Sequence, residues 1–133
     1  LSKLSSNSPD IGTNLNHNMD FDAIDVAIGG VENKTASGAI NNKEGTVFLN
    51  GSGVVAATLA LPTAGLPSAG GDDGRRLTIQ ASTAHAHTVT TPSSGLNGAS
   101  HVATFGGAVG DTAELVAFNG GWLVKSLRNV TLS

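Results

Sequence analysis

The chain has 133 residues, enough for one domain with an appendage and too few for two full cores, which excludes a multidomain enzyme. Gly, Ala, Ser and Thr make up 61 of them, against 33 for Leu, Ile, Val and Phe, so the interior must be built from small side chains, and only 13% of the chain is charged. There is no cysteine, which excludes disulfides and thiolate metal sites, and the net charge of -3 is the wrong sign for a nucleic-acid partner.

The acidity is local. Residues 1–45 carry Lys3, Lys34 and Lys43 against Asp10, Asp20, Asp22, Asp25, Glu32 and Glu44, whereas residues 46–133 balance four basic against four acidic groups. Residues 1–20, rich in Ser and Asn and without periodicity, read as an extended N-terminal arm whose scattered Leu1, Leu4, Ile11 and Leu15 need a partner surface. Residues 21–45 read as an acidic linker with a short strand, on the alternation of Ile24, Val26 and Ile28. No stretch approaches 18 consecutive apolar residues, and the N-terminus lacks the hydrophobic run of a signal peptide, so neither membrane insertion nor export is expected.

From residue 46 the chain reads as a β domain over 46–133. Short apolar runs bounded by Gly, Pro, Asn or Asp predict seven strands: 46–49, 54–61, 76–81, 87–91, 101–105, 113–118 and 122–127. Without helical patterns between them, the expected fold class is all-β, a small antiparallel β-sandwich or barrel-like domain. Asn119-Gly120-Gly121 between two apolar runs predicts a tight hairpin, because Asn-Gly tolerates the positive φ that such a turn demands.

In the run 54–61 neither face is polar: Val54, Ala56, Thr58 and Ala60 alternate with Val55, Ala57, Leu59 and Leu61. Both sides should therefore be covered, one of them by a neighbouring copy, the alternative being cover from the N-terminal third. A core this poor in bulky side chains also favours oligomerisation, since each buried Ala or Thr removes little apolar area from water.

Candidate chemistry is sparse. His85 and His87, at i and i+2, would share one face of a strand and could begin a metal site, but a third ligand is not identifiable among His17, His101, Asp72 or Asp73. The bland reading is polar positions at a strand start, and another is rings of histidine near a trimer axis. Asp72 and Asp73, beside Arg75 and Arg76, sit in a Gly-flanked turn and cannot both aim across one glycosidic bond, and a second, distant acid such as Glu114 is not identifiable as their partner, so charges paired with one another in the turn or across an interface are the simpler reading. Gly51-Ser52-Gly53 lacks a nucleophile motif, and Phe105–Asp111 is a glycine-rich loop without the spacing of a nucleotide fingerprint. No catalytic, cofactor-binding or metal residue is assigned. Trp122, the single Trp, is expected to cover the core rather than to present a sugar platform, and the echo 61-LPTAG-LPSAG-70 is expected to be a stiff extended connection.

Taken together, GDDGRRLTIQAST, HAHTVTTPSSGLNG and ATFGGAVGDTAELVAFNGGWLV, within residues 46–133, resemble a module of small virion-surface proteins of tailed bacteriophages, including head decoration and head-fibre proteins. The resemblance implies a trimeric β protein attached to a capsid, with no active site. The expectation is a non-enzymatic structural protein: a homotrimer on the virion surface, assembled in the host cytoplasm, bound to the major capsid protein through its arms, with no cofactor. A receptor-binding or tail-fibre tip recognising a host surface glycan is the alternative, and it predicts an exposed aromatic or His-lined pocket.

Overall fold

In the computed structural model, residues 30–133 are described. The arm expected over residues 1–20, the alternation at Ile24, Val26 and Ile28, and His17 lie outside them. The described chain is all-β, with one short 3-10 turn at Pro67–Ala69. Ten strands follow one another: β1 (Val31–Lys34), β2 (Gly38–Ala39), β3 (Gly45–Leu49), β4 (Ala56–Thr58), β5 (Arg76–Ala81), β6 (Thr88–Thr90), β7 (Val102–Phe105), β8 (Thr112–Phe118), β9 (Gly121–Arg128) and β10 (Val130–Leu132).

They form two five-stranded sheets, ordered β1-β3-β5-β8-β9 and β2-β4-β6-β7-β10. Both are mixed, where the sequence reading expects antiparallel. β1, β3 and β5 run parallel in the first sheet and β2, β4 and β6 parallel in the second; β8, β9, β7 and β10 then add antiparallel. Parallel neighbours need a crossover, commonly a helix. Here the crossover from one strand to its parallel neighbour passes through a strand of the opposite sheet, so three passes of the chain lay down six strands without any helix. Two strands, β1 and β2, precede residue 46 and belong to the same sheets.

Alternation along each strand sets the core. Val47 and Leu49, Leu77, Ile79 and Ala81, and Ala113, Leu115 and Ala117 point inward from the first sheet; Ala57, Val89, Ala103, Phe105 and Val130 do so from the second, and all belong to one cluster. Several of these positions hold Ala, consistent with the small-residue composition. The hairpin at Asn119-Gly120 has both residues at positive φ (50° and 82°) and pairs Phe118 with Gly121, which is the turn that the Asn-Gly signal demands.

The run 54–61 departs from its reading. Only Ala56–Thr58 is strand, and among the described residues it is covered on one side: Val55, Ala57 and Leu59 are buried, while Val54, Ala56, Thr58, Ala60 and Leu61 are exposed. The N-terminal third described here, β1 and β2, extends the edges of the sheets instead of covering that face.

Candidate functional site

The acidic pair at 72–73 holds loops together. Asp72 is buried; its Oδ2 accepts the Thr63 N–H at 2.8 Å, its Oδ1 accepts Arg75 Nε at 3.0 Å, and Lys43 Nζ stands at 4.0 Å. Burial opposes ionisation of this carboxyl, but the Thr63 bond and the two cations outweigh it and hold it below the ordinary carboxylate value. Asp73 Oδ1 accepts the N–H of Gly65 at 3.3 Å and of Asn119 at 2.8 Å. Arg75 continues to Glu44 at 3.1 Å. Thus 61–70 is a compact loop clasped by both carboxylates, with a turn closed by Gly71 N–H to Leu66 O, and not the extended connection that its two prolines suggest. Gly71 lies so close to the Gly65 backbone that a Cβ there would collide with it. Glu114 sits on the outer face of β8 and accepts Ser126 Oγ at 3.0 Å.

His85 and His87 do not share a strand face, because β6 begins only at Thr88. His85 is half-buried, and His87 is fully buried. Their rings meet edge to face with centroids 5.8 Å apart. Both nitrogens of His87 are engaged: Nδ1 accepts the Val55 N–H at 2.9 Å and Nε2 lies 3.1 Å from Thr83 Oγ1. Because Nδ1 must accept, the neutral ring carries its proton on Nε2 and donates it to Thr83. Burial pushes the His87 imidazole below its ordinary value, against a hydrogen bond to the Thr83 backbone that raises it, and the neighbouring His85 acts in the same direction as burial. A ring enclosed in this way cannot line a trimer axis. Among the described residues no group of three or more His, Cys, Asp or Glu is arranged to hold a metal ion.

Trp122 is buried and donates its indole N–H to Ala60 O at 3.0 Å, so it covers the core as expected. A residue that the sequence reading passed over, Asp111, organises the loop 106–111: it is buried, its Oδ2 accepts Ala108 N–H at 2.9 Å and its Oδ1 accepts Asn129 Nδ2 at 3.0 Å. Burial again disfavours its charge, but these bonds, with the N–H groups of Gly107 and Gly106, hold its carboxyl low. The signal was the Gly-rich spacing before it, which admits a carboxylate-capped turn as readily as a bare loop.

Among the described residues, two uncharged surface features stand out. The first is the outer face of the second sheet, where Ala56, Thr88, Thr104 and Thr131 form one row across β4-β6-β7-β10 and Ala39, Thr58, Thr90 and Val102 another across β2-β4-β6-β7. Neither row contains a charge. The corresponding face of the first sheet carries Arg76, Glu114 and Arg128 among its threonines. The second is an open groove of about 500 Å³ between the loop 93–98 and the β8–β9 hairpin, with Phe118 57% exposed at its margin. Comparison of the chain with known protein families gives no match, and comparison with curated proteins gives none either.

Proposed function

We propose that the chain is a non-enzymatic structural protein of a tailed-phage virion surface: a β-sandwich homotrimer that decorates or cements the capsid by binding the major capsid protein, with residues 1–20 supplying the contact. The observation that carries this reading is the charge-free outer face of the β2-β4-β6-β7-β10 sheet. A face meant to stay in water usually carries charged side chains, which also guard against association. Alanine, threonine and valine lose little when desolvated, and threonine hydroxyls can bond one another across an interface. Closed rotational symmetry among identical copies is the common way to cover such a face. The resemblance of residues 46–133 to head decoration and head-fibre proteins supports the same conclusion.

The mechanism is mass action. Three arms per trimer give avidity even where each contact is weak, and a ligand that binds only the assembled lattice adds its binding free energy to that lattice. Sedimentation of the full chain tests the assembly: a mass near three times 13.2 kDa supports it, and a stable monomer at micromolar concentration refutes it. Deleting residues 1–20 should leave the trimer folded and abolish occupancy on purified heads; unchanged occupancy would remove the arm from the reading. A receptor-binding or tail-fibre tip is the second reading, favoured by one observation, the exposed Phe118 beside an open groove.

A further inference from the structure

We propose that the groove between the loop 93–98 and the β8–β9 hairpin is a binding site for a neutral oligosaccharide. The inference deepens the second reading and requires neither the trimer nor capsid attachment. Its size, about 500 Å³, falls within the usual range for small-molecule sites.

Local backbone conformation first sets the groove apart. Four non-glycine residues of the described chain have positive φ, and three of them, Ser93 (48°), Asn97 (56°) and Asn119 (50°), line this one groove. Asn119 is the turn position that the hairpin requires, and both asparagines are tied to other parts of the fold. Asn119 donates its backbone N–H to Asp73 Oδ1 at 2.8 Å, anchoring the hairpin tip. Asn97 accepts the Val124 N–H on Oδ1 at 2.8 Å, which orients its amide and leaves Nδ2 as a donor. Gly95 has no room for a side chain, since a Cβ would strike Leu61 and Thr91. The hairpin tip and the Asn97 amide are therefore positioned by the fold itself, which lowers the ordering cost of binding.

The chemistry of the lining then selects the ligand. None of the residues that line the groove carries a charge, so an anionic or cationic ligand would find no counter-charge. Serine hydroxyls and asparagine amides both donate and accept, as the hydroxyls of a neutral sugar do. Phe118 supplies the apolar surface: its cross-strand partner is Gly121, so no side chain lies over its ring on that side, and the CH face of a pyranose can stack there. A peptide adding to the sheet is disfavoured at this place, because the β9 edge is already occupied. Trp122 N–H bonds Gly95 O at 2.8 Å, and Asn97 N–H bonds Trp122 O at 2.9 Å.

The test uses the full chain with isotopic labelling and titrates tetrasaccharides of glucose, galactose, mannose and N-acetylglucosamine, a sialylated tetrasaccharide, and an unstructured apolar peptide. At least one neutral sugar should shift the amide resonances of residues 93–98 and 118–121. Phe118→Ala should weaken that sugar about fivefold or more, while Phe118→Tyr retains it. Sedimentation and Trp122 emission of the two variants establish that both remain folded. No shift from any neutral sugar up to roughly 10 mM overturns the proposal. So does binding that Phe118→Ala leaves unchanged, or a groove that takes the sialylated sugar or the peptide in preference. Loss of sugar binding with an intact trimer would leave the decoration reading standing, so the two fail separately.

Discussion

Protonating His87 should loosen the packing between β4 and β6. Its Nδ1 accepts from Val55, and backbone bonds flank the ring: Val55 O accepts Thr88 N–H at 3.0 Å, joining the β4 and β6 segments, and His87 O accepts Phe105 N–H at 2.8 Å, joining the β6 segment to β7. A second proton on the ring would place an N–H against the Val55 N–H, converting a bond into a repulsion of donors in a site closed to water. The folded value lies below the ordinary 6.5, so the unfolded chain binds more protons as pH falls, and the sign follows. The stability from His87 is complete above about pH 6.5 and is lost as pH falls toward the folded value. Its upper limit at pH 5, where the folded state takes up no proton at all, is about 2 kcal/mol. The carboxylates Asp72 and Asp111 are held low, below 3.8, so their contribution is lost only in a more acidic window and does not overlap. Urea unfolding followed by Trp122 emission, at fixed protein concentration from pH 8 to pH 4.5, measures the slope. Replacing His87 by Leu removes the proton site and orphans the Val55 N–H, and should cost about 1–3 kcal/mol at pH 8 while flattening the curve between pH 6.5 and 5. A wild-type curve as flat as the variant's, or one that rises on acidification, would refute the assignment of the neutral ring.

The other expectations concern the loop clasp, the indole and the open sheet face. Asp72→Asn should lower stability at pH 7 by about 1–3 kcal/mol, through weaker pairing with Arg75 and Thr63, and should reduce the loss that the wild type shows below pH 3.8; calorimetry across pH 2.5–7 reads both. Trp122→Phe keeps the apolar cover but leaves Ala60 O without its donor, for a cost of about 1 kcal/mol or somewhat more, measurable as a shift of the urea midpoint by circular dichroism. A double substitution of Thr90 and Thr104 by Glu should lower the sedimenting mass of the assembled protein while the isolated chain keeps its β circular dichroism. Retention of the full mass would show that this face does not join the copies.

Much of the strand pattern was legible because alternation is a local property. The runs at 76–81, 101–105, 113–118 and 122–127 coincide with β5, β7, β8 and β9 to within a residue at every end, and Asn119-Gly120 had to turn where it does. β1, β2 and β10 were not legible: they are short, β1 reads Val-Glu-Asn-Lys, and β10 follows β9 after the single residue Asn129, held at φ 54° by its place in the loop. The faces around Val54–Leu61 show the limit most clearly. The sequence states that both faces are free of charge, but which of them meets the core depends on where the strand lies in its sheet.

Period-two patterning is the same for a strand whose neighbour runs parallel or antiparallel, so composition and spacing determined an all-β chain with a small-residue core and left the direction of pairing open. Direction was decided by the route of the chain between the two sheets. The same route brought residues distant in sequence to their partners: His87 to Val55, Asp73 to Asn119, and the Ser93–Gly98 loop to the tip of the β8–β9 hairpin. Hydrogen bonds of that kind depend on distances that only the folded chain creates, which is why the neutral histidine, the clasped loop and the uncharged groove belong to the tertiary structure.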